Sequence, residues 1–453
     1  MDLTAQLTAA SRVIDRWLPY KMFRGRLPGL SVGIVYQKTL LFQNGYGYAD
    51  VEQQLPTSKT TGYRIASFSK IFTAIAILQL AEEGKLHLDE YARKYLPWLA
   101  SASDERTAQI TLRQLLTHTS GLDRDGATPH WVEMQFPALA QIQSHIAEGA
   151  QAYTPAEKWK YSNLGYTLLG AIVRAASGVP YEYYVEEHIL QPLGLSLTAP
   201  VLTPEIEQNL AVGYGRDIPG SARTRLPAIE THIMASATGF SSNVPELSRF
   251  IMAQFYGDTT LLKDETKREM RRIQWLREGY DRDWCLGFQT HKIGASRFYG
   301  HGGSFQGYQS RFDFDPEREF GLVLFSNALD APSTDLAEGA IQVLNYVIEH
   351  FNEFGQAENQ VAQAERYEGR YSNIWSDTDI MSINGSLVLY TPGVYSPALD
   401  FHQLRPDADG RFTLTSGNSI GQLGERVRFE LDGDGMARKV WIGSNPAEKI
   451  AWL

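Results

Sequence analysis

The chain has 453 residues, more than a single hydrophobic core usually serves, so a large domain with a smaller companion is expected. Apolar residues make up 43% and charged residues 21%, the balance of an ordered globular protein, and the net charge of −10 excludes a basic nucleic-acid surface. The single cysteine, Cys285, rules out an internal disulfide; between Trp284 and Leu286 it reads as a small core residue rather than a thiol nucleophile.

Residues 1–10 lack a basic segment followed by an apolar one, and Asp2 stands where a signal peptide carries positive charge, so a cytoplasmic protein is expected. Residues 30–35 and 40–42 predict two short strands around Gln37-Lys38, with Gly45 and Gly47 loosening the chain beyond them. The run 71–81 predicts a helix that is apolar on nearly every side, hence buried. It is too short to cross a bilayer and ends at Gly84 as a C-cap. Helices are predicted at 111–116, broken by the hydroxyl-rich Thr117-His118-Thr119-Ser120-Gly121, at 164–176, closed by Ser177-Gly178, and at 245–254. Strands return at 297–300, 309–314 and 321–325, the last two joined by a turn at Asp315-Pro316, before a helix at 335–351. Strands at both ends with helices between predict an α+β fold: one antiparallel sheet flanked by helices, its first and last strands neighbours.

Composition places a first domain at 1–352, a polar connector at 353–366 and a second domain at 367–453. The second shows short alternating segments with turn signals at Asn384-Gly385, Asp409-Gly410 and Asp432-Gly433, which predict an all-β module. Asp432-Gly433-Asp434-Gly435 reads as a tight turn, because an EF-hand loop needs glutamate at its twelfth position and Gly443 stands there.

Chemistry is concentrated in Ser67-Phe68-Ser69-Lys70, at the mouth of the buried helix. Residues three apart share a helical face, so a neutral Lys70 amine is placed to take the Ser67 hydroxyl proton, and burial lowers a lysine pKa as a general base requires. The free N–H groups at the start of such a helix suit a developing oxyanion. The alternative is a buried lysine satisfied by hydroxyls. Two further segments bear polar groups at element ends: Tyr161-Ser162-Asn163 before the helix at 164, and His301-Gly302-Gly303-Ser304 after the strand at 297–300. The competing readings are a packed aromatic for Tyr161 and a helix N-cap for Asn163, the latter compatible with a role in the site. His118 reads as a hydrogen-bonded structural residue. No His-Glu-x-x-His spacing occurs, so no metal or other cofactor is expected, and no Gly-x-Ser-x-Gly elbow is present.

In order, Ser-x-x-Lys, Tyr-x-Asn and a histidine form of the Lys-Thr-Gly motif resemble the penicillin-recognising serine hydrolases. The branch in question holds class C β-lactamases, D-alanyl-D-alanine carboxypeptidases, D-aminopeptidases and lactamase-like esterases. Residues 115–122, 299–303 and 315–318 are similar as well; Tyr371-Ser372-Asn373 repeats the tyrosine motif but stands out of order. The resemblance implies that Ser67 forms an acyl-enzyme, with Lys70 and Tyr161 sharing base and acid work. Asn163 would orient the lysine and bind substrate, and the N–H groups of Ser67 and Ser304 would form the oxyanion hole. His301, Gly302, Gly303 and Ser304 would line the substrate site. Where penicillin-degrading members carry lysine, His301 is largely neutral at pH 7, which favours a small ester or a peptide-like, D-amino-acid amide over a β-lactam. The alternatives are a β-lactamase or DD-peptidase with the same mechanism, and a β-lactam-binding sensor without turnover. The expected partners are a small-molecule or short-peptide substrate, no nucleic acid, no membrane span, and a homo-oligomer through the C-terminal domain. That domain is similar to a small β-barrel appended in some members, whose loop at 384–398 would shape the active-site entrance or an oligomer contact; the alternative is a packing module without contact to the chemistry.

Overall fold

The computed structural model describes residues 2–126, 128–417 and 423–451. Packing divides the chain into two units, residues 27–334 and residues 1–26 with 335–453. Composition changes at 352, whereas packing changes at 334.

The first unit is built on an eight-stranded antiparallel sheet. In spatial order its strands are 55–56, 39–50, 29–36, 320–326, 308–315, 296–305, 289–293 and 283–284. The first long strand pairs with the last, Leu30 opposite Ser326 and Tyr36 opposite Phe320, as expected. Gly29–Tyr36 and Phe320–Ser326 are buried at every residue, so both faces of the sheet centre are covered. That explains their continuous apolar runs in place of alternation. The second strand does not loosen at its glycines: it runs through Gly45 and Gly47 to Asp50. A Cβ at Gly45 would meet the Thr57 carbonyl at 2.9 Å, so glycine there admits a neighbouring backbone.

Helix Ser69–Glu82 is buried from Ser69 to Leu78 and packs beside helix Asn163–Ser177 and the π-helical turn Ala235–Gly239. Phe68 and Phe72 lock its start, with ring centroids 4.1 Å from Phe312 and 4.5 Å from Phe240. Gly84, at φ +71°, ends it in the left-handed conformation its sequence position predicts.

In the second unit, eight strands from Gly369–Ser372 to Asn445–Ile450 pair each with the next, and the first closes on the last through Arg370 opposite Ile450. The expected β module is thus a closed barrel, and Tyr367, Tyr371, Phe412 and Leu404 fill its interior. Tyr371 belongs to that core, which accounts for the misplaced tyrosine motif. Asn384-Gly385 forms a two-residue hairpin turn with φ of 48° and 83°. Asp432 Oδ1 accepts from the N–H groups of Asp434 and Met436, closing its own turn. The unit also holds an N-terminal helix, Thr4–Arg24, that sequence periodicity had not singled out. Among the described residues no helix is long and apolar enough to cross a membrane.

Candidate active site

Ser67 lies in a single 3-10 turn, Ala66–Phe68, that leads directly into helix Ser69–Glu82. Ala66 has φ +51°, a left-handed conformation costly for a residue with a Cβ and common where a site fixes its backbone. The strand Ser296–Phe305 runs beside this turn. The motif His301 to Ser304 lies inside that strand, not after it as its glycines suggest. A Cβ on Gly303 would stand 2.1 Å from the Ile65 carbonyl oxygen and 2.4 Å from Ser310 Oγ, so only glycine lets strand and nucleophile turn approach so closely.

Ser67 and Tyr161 line the same cavity, and the Ser67 hydroxyl is near enough to the phenol to lower its pKa against the larger upward effect of burial. Lys70, fully buried, donates from Nζ to Asn163 Oδ1 and to the Ala237 carbonyl, both at 2.7 Å, and lies 4.8 Å from the Tyr161 ring centroid. The two oxygens take two N–H groups of the amine. Burial holds its pKa well below the ordinary lysine value, opposed by the Asp125 charge and assisted by Arg124. Once the amine has lost its third proton, a loss that burial favours, the remaining position on nitrogen is a lone pair. Burial moves Tyr161 the other way, raising its pKa, so the phenol keeps its proton.

Asn163 is not the N-cap of its helix. Ser162 fills that position, its Oγ accepting from the Gly165 N–H at 2.9 Å, and this leaves the Asn163 side chain free to face the site. Asn163 Nδ2 donates to Asp125 Oδ1 at 2.6 Å. Because a carboxylate only accepts, this contact fixes the amide with its oxygen toward Lys70. Sequence reasoning missed Asp125, which lies just beyond the hydroxyl-rich loop and has no distinguishing spacing.

His118, at φ +59° and fully buried, accepts on Nδ1 from the Ser162 N–H at 3.1 Å and lies against the Tyr161 ring, centroids 4.3 Å apart. It supports the phenol, in keeping with a structural reading. His301 Nδ1 donates to the Gly302 carbonyl, and its Nε2, buried, has no hydrogen-bond partner among the described residues. Burial and the nearby Lys70 push the His301 pKa down to about 3, so the ring is neutral. Cys285 is buried with its thiol pKa raised by burial to about 12, a packed residue.

Ser67, Tyr161, Asn163, His301, Gly302, Gly303 and Ser304 all line one cavity of about 640 Å³, with Lys70 behind its wall. Trp131, Trp159 and Phe305 supply apolar surface and Arg124 stands at the edge. The arrangement brings a hydroxyl, a protonated phenol and close backbone to one concavity, with a buried amine beside it whose charged form burial disfavours, groups that acyl transfer can use.

The Beta-lactamase family profile matches residues 14–345. Protein flp of Staphylococcus aureus (strain MW2) is 27% identical over 327 residues, which cover 69% of this chain and 62% of that protein, so the chain spans less than two thirds of that relative's length. Penicillin-binding protein 4* of Bacillus subtilis (strain 168) is 26% identical over 332 residues, 70% of each chain. Among solved structures, the octameric penicillin-binding protein homologue from Pyrococcus abyssi aligns over 97% of this chain and 100% of its own with TM-score 0.66 at 22% identity, a likeness of fold. With the profile covering well over half of its length, the chain belongs to the β-lactamase family.

Proposed function

We propose that this protein is a serine hydrolase that cleaves a small ester or a peptide-like amide through an acyl-enzyme on Ser67. The observation that carries the reading is that Ser67 and the Tyr161 phenol line one cavity beside a buried Lys70 that donates to two oxygens. Ser67 Oγ bonds to the substrate carbonyl carbon while its proton passes to Lys70 Nζ, directly or through the phenol. The carbonyl oxygen becomes an anion held by the N–H groups of Ser67 and Ser304. Collapse breaks the bond to the leaving oxygen or nitrogen, which takes its proton from Tyr161, and the phenol is restored from Lys70. Water then attacks the ester with the same groups as base and acid, releasing a carboxylic acid and free Ser67. A positioned base contributes about a hundred- to ten-thousand-fold, and each oxyanion donor about 2.7–4 kcal/mol. Neutral His301 in the place of a lysine supports esters and amides over β-lactams.

The test is turnover of a chromogenic short-chain ester, nitrocefin and a D-alanine p-nitroanilide by wild type and Ser67→Ala. Turnover that vanishes with the substitution is the expected result. Stoichiometric labelling of Ser67 by a fluorescent penicillin without turnover would make the protein a sensor, and identical behaviour of the two proteins would end the covalent reading. An oligomer, consistent with the octameric fold neighbour and with Ile374 and Trp375 exposed on a barrel turn, is part of the proposal and is read from the solution mass.

A further inference from the structure

A second cavity, of about 330 Å³, lies two turns further along the helix that begins at Asn163, and it shares no described lining residue with the cavity of Ser67. Its volume is that of a small-ligand site. Ala171, Tyr181, Val201 and Ile233 give it apolar walls, and Ala235 and Ser236, from the π-helical turn, line it as well. Two side chains of opposite charge, Arg174 and Glu182, stand exposed at its mouth. Neither has an ion-pair or side-chain hydrogen-bond partner among the described residues.

The same turn holds Lys70. Tyr181 donates from its phenol to Thr73 Oγ1 at 2.7 Å, and Thr73 Oγ1 donates in turn to the Ser236 carbonyl at 2.6 Å. The next carbonyl, of Ala237, accepts from Lys70. Ser236 Oγ donates to the Tyr166 carbonyl at 2.9 Å and sits against Gly170, where a Cβ would stand 2.4 Å from it. Pressed from the cavity, Ser236 therefore has no room to yield toward helix Asn163–Ser177. The turn moves as a piece and carries the Ala237 carbonyl with it.

We propose that this cavity binds a free amino acid with a large apolar side chain and that its occupancy slows hydrolysis at Ser67. The side chain enters the apolar interior, the carboxylate meets Arg174 and the ammonium meets Glu182. A fatty acid would answer Arg174 and face Glu182 as a like charge, and an apolar amine would do the reverse; a zwitterion answers both. Hydrolysis of a peptide-like amide releases a molecule of this class, which makes the site a product sensor. The site stands without the acyl-enzyme reading, whereas the slowing rests on it.

The experiment is calorimetric titration of the full chain with phenylalanine of either hand. Phenylalaninamide, N-acetylphenylalanine and glycine are the comparisons, titrated into Ser67→Ala so that no turnover contributes heat. One enantiomer is expected to bind wild type and Ser67→Ala alike, and each comparison compound should bind about fivefold more weakly or worse. Arg174→Gln should no longer distinguish phenylalanine from its amide, and Glu182→Gln should no longer distinguish it from the N-acetyl compound. Both exposed variants should keep the basal hydrolysis of a chromogenic short-chain ester. Saturating phenylalanine should lower kcat of wild type about fivefold with KM little changed, and this effect should fade in either charge variant. No binding, binding indifferent to both charge variants, or inhibition that raises KM alone overturns the inference while the hydrolase reading stands. Binding that leaves hydrolysis unchanged overturns the coupling. Binding as expected with no ester turned over removes the hydrolase reading, and the slowing with it, while the site stands.

Discussion

Asp125→Asn tests the least anticipated feature of the site with almost no change of shape. Asp125 Oδ1 accepts from Asn163 Nδ2 at 2.6 Å, and Asn163 Oδ1 in turn accepts from Lys70 at 2.7 Å. Replacing the carboxylate by an amide removes a charge and lets Asn163 turn over, so that its NH₂ can donate into the lysine lone pair and block the base. Exchanging a charge-assisted hydrogen bond of about 1.5–3 kcal/mol for a neutral one of about 0.5–1.5 kcal/mol loses about 1–1.5 kcal/mol, or roughly five- to twelvefold in rate. The sign of the pH effect is set by the charge. Asp125 raises the Lys70 pKa against the larger effect of burial, so its removal lowers that pKa further, and the acid limb of kcat/KM moves to lower pH while the plateau falls. The assay is hydrolysis of a chromogenic short-chain ester from about pH 5 to 10, with circular dichroism to verify folding. A profile that superimposes on wild type, or an acid limb displaced to higher pH, refutes the argument.

Gly303→Ala places a methyl 2.1 Å from the Ile65 carbonyl, so the strand must withdraw from the nucleophile turn. An activity loss of about a hundredfold is expected, with destabilisation of about 1–3 kcal/mol read by denaturant titration. Lys70→Met should abolish turnover yet melt no lower than wild type, because it removes the desolvation cost of a buried amine. Its unfolding should also lose a pH slope. In wild type the unfolded lysine binds a proton that the folded one does not, so stability rises with pH between the depressed folded value and the ordinary 10.5; the Met variant lacks that rise.

Much of the site is legible in the sequence because local rules and tertiary demands agree there. The i, i+3 spacing of Ser67 and Lys70 and the uncharged run behind them are consequences of a helix buried on every side, and periodicity alone exposes that. The pairing of the first and last long strands is implied by their order and apolarity. Other features depend on contacts distant in sequence. Asp125 reaches Asn163, and the Ala237 carbonyl reaches Lys70, only once a loop and a π-helical turn have folded against the helix. Glycines weaken strands, so the run from His301 to Ser304 resembles a break in the sequence; it is a strand because the Ile65 backbone occupies the space a side chain would need. Pro19 masks helix Thr4–Arg24, although Leu7, Ala10, Ile14 and Leu18 hold helical spacing and are all buried.

A histidine at position 301, where the resemblance implies a lysine, has an electrostatic logic that joins these elements. Lys70, His118 and His301 are all fully buried bases whose protonated forms are disfavoured first by burial; Asp125 opposes that effect at Lys70, and a charge on Lys70 adds to it at both histidines. A second lysine in that enclosure would add a charge with no carboxylate to meet it among the residues lining the cavity. With a neutral histidine the enclosure carries no second buried cation beside Lys70. The remaining cation, Arg124, stands at the edge, where water screens it and where it still lowers the Lys70 pKa. A cation at the rim rather than on the strand thus lowers the Lys70 pKa without adding a second charge to the buried enclosure.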